Sequence, residues 1–256
     1  EARDKQDAWL GVAWRGVKGH RVELEHRQGI EDREANARER GGRRRYHVTF
    51  NDIERAMTSL NWEAEWAGSL ETQLRAYRGV IDVENRRTQG VAANVPQRVQ
   101  EQVLEGQARR PFGAHALAAG FEARNESRDD PGLPGGRGVL PHRSLFIQDE
   151  WSVAQPLTLT AGLRRDEHSR YGSEWSPRAY AVWRVAPGWA VKGGYSHGFK
   201  VPNLKQVVPG ARPEGPNTFL GNPDLKPERS DAIEIGIGYA VGAMQAQLMA
   251  FDQRVD

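Results

Sequence analysis

The chain has 256 residues, a formal net charge of +2 and 27% charged side chains of mixed sign. That length suits one large β domain or two small ones, and so small a net charge sets up no strong field toward nucleic acid. With no cysteine, a disulfide framework and a thiolate site are both excluded.

No run approaches about 18 apolar residues, so no transmembrane helix is expected. A mean hydropathy of −0.72 would ordinarily mark a water-soluble protein. A membrane barrel escapes that test, because only alternate residues face lipid. The opening Glu1-Ala2-Arg3-Asp4-Lys5 is charged and lacks the apolar core of a signal peptide.

Taken in order, the chain reads as strands. Residues 7–16 set Ala8, Leu10, Val12 and Trp14 on one face, and 20–28 repeat the alternation with Val22, Leu24 and His26. A period of two with one apolar face is the strand signature. Residues 29–45 are densely charged, ending in Arg43-Arg44-Arg45. They read as an exposed loop, with 30–40 helical by propensity but offering no apolar face to dock. A third strand ends near Trp66 and a fourth covers 70–87. A fifth, 97–109, alternates poorly, and a sixth carries Leu117, Ala119, Phe121 and Ala123. The Gly/Pro-rich stretch 129–141 reads as a loop. Strands follow at 142–153, from Leu157 to Arg164, at 175–185 and from Trp189. After a loop over 200–228 come 229–240 and 243–255, for about twelve strands in all.

Short connections fall near 17–19, 67–69, 110–113, 154–156, 186–188 and 241–242, with longer ones between them. Up-and-down outer-membrane barrels alternate in this way, with short periplasmic turns and long extracellular loops. Trp14, Trp62, Trp66, Trp151, Trp183 and Trp189 lie close to short turns, while Trp9 and Trp175 lie at the opposite strand ends. That distribution reads as two interfacial girdles. Arg15, Arg21, Arg27, Arg75, Arg164, Arg184 and Lys192 fall on polar faces, within reach of Glu23, Glu25, Glu63, Glu65 and Glu71.

One stretch organises the rest. Gly198-Phe199-Lys200-Val201-Pro202-Asn203-Leu204 is followed by Gly221-Asn222-Pro223-Asp224-Leu225-Lys226-Pro227-Glu228. Asn222 before Pro223 suits the start of a turn, and Lys226 before Pro227 is pushed toward extended geometry. With Phe146-Ile147-Gln148-Asp149-Glu150-Trp151, 157–164 and Trp175-Ser176-Pro177-Arg178-Ala179, these segments resemble the barrel domain of TonB-dependent outer-membrane receptors.

That resemblance implies an all-β, antiparallel transmembrane barrel, of which residues 1–256 supply about twelve of about 22 strands. The N-terminal plug, the TonB-contacting box and the last barrel strands have no counterpart in 1–256. It implies a monomeric multi-pass protein of the bacterial outer membrane, in contact with lipid and lipopolysaccharide. Such a receptor would import a ferric siderophore with energy supplied by TonB–ExbB–ExbD through the N-terminal region. Haem, cobalamin or a saccharide are alternative cargoes; a passive porin or a barrel hydrolase are alternatives of another class. The motif residues Phe199, Pro202, Asn203, Leu204, Asn222, Pro223, Asp224, Leu225, Lys226, Pro227 and Glu228 are expected to be structural.

For ligand contact the candidates are Arg43, Arg44, Arg45 and Tyr46, then Lys205 and Arg212. Guanidinium and phenol groups suit an anionic, flat-faced ferric catecholate through charge-assisted hydrogen bonds and cation–π contacts. No enzyme, resident cofactor, metal site or nucleic-acid partner is expected. The seven histidines lack metal-ligand spacing. Asp166 and His168 share a strand face, and they read as a hydrogen-bonded strand end rather than a dyad.

Overall fold

The structure is a computed structural model that describes residues 2–39, 43–130, 133–207, 209–214 and 217–256, without the side chains of 134, 210–214 and 217–219. Its strands are β1 (Ala2–Trp14), β2 (His20–Arg38), β3 (Tyr46–Trp66), β4 (Leu70–Arg87), β5 (Gln97–Phe112), β6 (His115–Asp129), β7 (Arg137–Ala154), β8 (Leu157–His168), β9 (Gly172–Ala186) and β10 (Trp189–Lys200). A short helix α1 (Leu204–Val207) and a hairpin of β11 (Gly210–Glu214) and β12 (Asn217–Gly221) come next. The last strands are β13 (Glu228–Val241) and β14 (Met244–Val255). Twelve strands form one open antiparallel sheet in chain order, with β10 beside β13. No helix among the described residues is long and apolar enough to cross a membrane, which says nothing of strands.

The register explains the composition. Val12 lies opposite Leu24, Leu24 opposite Leu60, Trp62 opposite Leu74, Ile147 opposite Leu163 and Ile237 opposite Leu248. These pairs align into an apolar band across one whole face. Its members stand open: Leu10 is 68% and Ile235 61% exposed. Water would not tolerate so large a continuous apolar surface, whereas hydrocarbon does.

The opposite face, turned inward in a closed barrel, is a ladder of paired polar groups. Arg21 pairs with Glu23, Asn61 donates to Glu63 at 3.0 Å, Gln73 to Asn61 at 3.3 Å and Gln107 to Gln73 at 2.9 Å. Arg75 meets Glu105 at 3.4 Å, and Arg124 meets Glu101 at 3.2 Å. The arginines placed there by alternation are therefore largely neutralised within the wall. Gly79 leaves a hollow of about 710 Å³ beside Trp9, Met57 and Ile81.

Tight turns close the short end. Gly19 has φ 78°, and a Cβ there would lie 2.6 Å from the Glu65 carbonyl oxygen, so only glycine fits. Gly188 (φ 80°) does the same before β10. Above this end Trp62 stacks on His20 with ring centroids 6.0 Å apart, His115 on Trp151 at 5.5 Å, and Trp189 against Tyr239 at 4.7 Å. This girdle matches the sequence. Trp9 departs from it: it lies opposite Arg27 on the polar face, because it has the reverse parity from Leu10 and Val12. Only Trp175, opposite Arg165, stands on the apolar face at the far end.

Four loop boundaries are corrected. The charged stretch 29–45 is mostly strand: β2 and β3 stay paired from His20↔Ala64 to Arg38↔Tyr46. Its anchor is Glu31, 1% exposed and held by Arg33 and Arg3 at 2.6 Å and Arg55 at 2.8 Å. Cross-strand ion pairs replace the missing apolar face, so neither helix nor loop forms. With 21 residues in β3 against the 9–11 that cross a bilayer, the surplus projects beyond the membrane on the long-loop side. The β8–β9 connection shrinks to 169–171, and β7 begins at Arg137. The 200–228 stretch contains α1 and the β11–β12 hairpin.

Candidate ligand-binding rim

The projecting strand ends carry two loops of opposite character. In the first, between β2 and β3, Arg45 forks onto Glu39 with Nε to Oε2 at 2.9 Å and Nη2 to Oε1 at 3.0 Å. Its backbone N–H also reaches Glu39 Oε2 at 3.0 Å, and its Nη1 donates to the Gln89 carbonyl at 2.7 Å. One residue therefore closes its own loop and ties it to the β4–β5 loop. Hydrogen bonds from Arg45 hold the Glu39 carboxyl down to about 2 and push the Arg45 guanidinium up. Arg45 is thus engaged by the protein.

Its neighbours are open. Arg43 is exposed and makes no hydrogen bond or ion pair among the described residues. Arg44 is held at φ 52° and accepts Arg38 Nε on its carbonyl at 3.1 Å, leaving its side chain outward. Tyr46 is 73% exposed, with the Arg38 guanidinium 4.9 Å from its ring centroid. The loop therefore presents two free cations and a cation-stacked phenol. Arg38 belongs to this group and was not expected there, because its segment read as loop rather than strand.

The second loop, 201–227, folds back onto the wall. Asn203 Oδ1 accepts the Gln206 N–H and Gln206 Oε1 accepts the Asn203 N–H, both at 3.0 Å, a reciprocal cap on α1. Leu204, 3% exposed, and Val207 are buried, and the Leu204 N–H donates to Glu126 Oε1 on β6 at 3.3 Å. The Gln206 carbonyl accepts the Asn222 N–H at 2.8 Å, so the two halves of the motif hold one another. Asn222 Oδ1 accepts the Asp224 N–H at 2.9 Å, an Asx turn, and the Pro223 carbonyl accepts from Arg170. Pro202 is buried, whereas Leu225 is half-buried and Pro227 half-exposed at the descent. Lys226 precedes Glu228, whose carboxylate meets Lys200 at 3.3 Å to close the base, and Phe199 lies under Arg229.

Lys205 sits on α1 and has partners of its own. Arg212 pairs with Phe219 in the hairpin through its backbone; its side chain lies outside the described residues. The two loops do not bring Arg43–Tyr46 and Lys205 into any described contact. Beneath the second loop lies a cluster that sequence spacing only half disclosed. Asp166 accepts from His142 at 2.9 Å and from Arg164 at 3.1 Å, and His168 packs on Tyr171 at 5.0 Å. Asp166 and His168 do not bond each other; each is satisfied separately. No group of three metal-ligating side chains occurs among the described residues.

The family model described as "TonB dependent receptor-like, beta-barrel" matches residues 3–256. The iron-regulated outer membrane virulence protein of Vibrio cholerae O395 is 32% identical over 242 residues, 91% of this chain and 36% of that protein. Ferric enterobactin receptor PirA of Pseudomonas aeruginosa is 30% identical over 209 residues, 72% of this chain and 28% of that protein. The crystal structure of the siderophore receptor PirA from Pseudomonas aeruginosa superposes with a TM-score of 0.82 at 22% identity, covering 99% of this chain and 46% of that one. The chain thus spans about a third of the length of these curated relatives. It belongs to the TonB-dependent receptors, as part of their outer-membrane β-barrel.

Proposed function

We propose that this barrel forms the wall and outer rim of a receptor that captures a ferric catecholate siderophore and imports it with TonB-supplied energy. The observation that carries the reading is the outward Arg43 and Arg44 beside the Arg38-stacked Tyr46. A catecholate complex is a compact anion with aromatic faces. Free guanidiniums supply charge-assisted hydrogen bonds to its oxygens, and a phenol ring supplies a stacking surface. Arg45 has a different role: it holds the loop that displays the other two. Iron travels here as cargo, not as a resident cofactor. Names of relatives such as the ferric enterobactin receptor support the same cargo class. TonB–ExbB–ExbD would engage the receptor outside this β-barrel.

The test is ligand binding by the full-length receptor in detergent, read by tryptophan quenching. The panel holds ferric catecholates, ferric hydroxamates, haem and cobalamin. Saturable quenching by a ferric catecholate, weakened at least about tenfold in the Arg43→Ala/Arg44→Ala variant, is expected from the loss of two charged hydrogen bonds. Binding of haem or cobalamin alone would reassign the cargo. No binding, with free leakage of small solutes from loaded liposomes, would replace the receptor with a porin.

A further inference from the structure

The outer wall carries a second basic site, on the face turned away from the ligand rim. Most guanidiniums on the upper part of that face have a carboxylate. Arg86 meets Asp52 at 2.9 Å, Arg98 meets Asp82 at 3.6 Å and Arg137 meets Asp129 at 3.6 Å. Arg143 and Arg165 break the pattern. Both are exposed, and neither makes a hydrogen bond or ion pair among the described residues. Arg143 stands opposite Glu167 without closing a pair, and Arg165 stands opposite Leu145.

Their place is informative. Arg143 and Arg165 are diagonal neighbours across β7 and β8 on one face, a separation of about 7–8 Å at the backbone that two long side chains bridge easily. The Arg165 guanidinium lies 5.5 Å from the Trp175 ring centroid, at the height where indoles mark a membrane interface. Directly toward the short-turn end the same face becomes apolar: Leu145 is 65% and Ile147 57% exposed, with Leu163 beside them. Two uncompensated cations immediately above a hydrocarbon-facing band form the outline of an amphiphile with an anionic head.

We propose that Arg143 and Arg165 clamp a phosphate of a phosphorylated lipid in the outer leaflet, whose acyl chains lie along Leu145, Ile147 and Leu163. Paired guanidiniums suit the bidentate recognition of phosphate oxygens. Glu167, on the same face opposite Arg143, opposes the charge and tunes the site downward. The proposal rests on the membrane placement of the barrel but not on the cargo, since the site lies on the other face from the polar ladder.

The experiment uses the full-length receptor in mild detergent, with diphosphoryl lipid A and its dephosphorylated form as probes and retained lipid measured by mass spectrometry. Diphosphoryl lipid A is expected to be retained at least about fivefold better than the dephosphorylated form, and Arg143→Gln/Arg165→Gln to abolish the difference. Glu167→Gln is expected to raise retention severalfold, which keeps the test decisive if the double variant fails to assemble. Inorganic phosphate at about 10 mM should leave retention intact, because it lacks the chains that the apolar band holds. Siderophore quenching should be the same in all variants. Equal retention of the two lipid forms, no effect of either substitution, or displacement by inorganic phosphate would each overturn the assignment.

Discussion

The two outer loops show what separates a segment that bonds to itself from one that displays its charges on the same rim. In 201–227 several described polar groups bond to one another or to the wall: Asn203 and Gln206 cap each other, Asn222 closes an Asx turn, and Glu126 meets the Leu204 N–H. In 39–45 the described bonds converge on Arg45, forked onto Glu39 and tied to the Gln89 carbonyl, with Arg38 on the Arg44 carbonyl, and the Arg43 and Arg44 side chains are left to solvent. A loop whose donors and acceptors are spent on itself has little left to offer a ligand. A loop closed through one of its arginines that leaves the adjacent cations unpaired displays them.

The sharpest way to break this contrast is to undock the second loop. Leu204→Ala removes a buried side chain from a site with little room to collapse, at a cost of about 2–4 kcal/mol. The loss is local, so barrel melting should hardly move. Amide exchange at 203–207 should accelerate by one to several orders of magnitude. Asn203→Ala removes only the cap, at about 1 kcal/mol, and should accelerate the same amides about fivefold. If both variants exchange like the parent, α1 is not held as described.

Next in size is the contrast in ligand response. Arg43→Ala/Arg44→Ala should weaken ferric catecholate binding at least about tenfold while leaving exchange at 203–207 unchanged. Leu204→Ala should do the reverse. If Leu204→Ala abolished binding outright, the second loop would also be a contact surface, and the division drawn between the loops would fail.

Much of this was legible in sequence because period-two alternation survives wherever one face meets hydrocarbon. From Leu10-Gly11-Val12 to Ile235-Gly236-Ile237 the pattern placed strands and faces, and the turn glycines marked the short end. It failed where that driving force stops. Beyond the bilayer both faces of β2 are wet, so residues 29–38 lose their alternation while keeping their ladder. That ladder is held by the long-range Glu31–Arg55 and Glu31–Arg3 contacts, which no local pattern records. Trp9 shows the complementary error: β1 begins at Ala2, so Trp9 lies in mid-strand rather than at its end, and its parity puts it on the polar face. Within the rim, Arg43, Arg44 and Arg45 are chemically alike in sequence. Only the fold assigns Arg45 to Glu39 and Gln89 and leaves the other two outward.

The smallest expected effect concerns acid. Glu39 has an ordinary carboxyl value of 4.5, lowered to about 2 in the folded loop by hydrogen bonds from Arg45. A group with a depressed folded pKa adds stability that is complete above its unfolded value and is lost as pH falls through the folded one. The loop should therefore hold the same order from neutral pH down to about 4.5, weaken below that, and release near pH 2. The pair is exposed enough for solvent and salt to screen it, so the change should be confined to amides around 39 and 45. Glu39→Gln should exchange faster than the parent at neutral pH and lose the acid dependence. That variant should also weaken catecholate binding by a few-fold only, since Arg43 and Arg44 remain but are less well positioned. An acid transition that persisted in Glu39→Gln would mean that another group holds the loop, and Arg45 would then return to the set of residues free to meet the ligand.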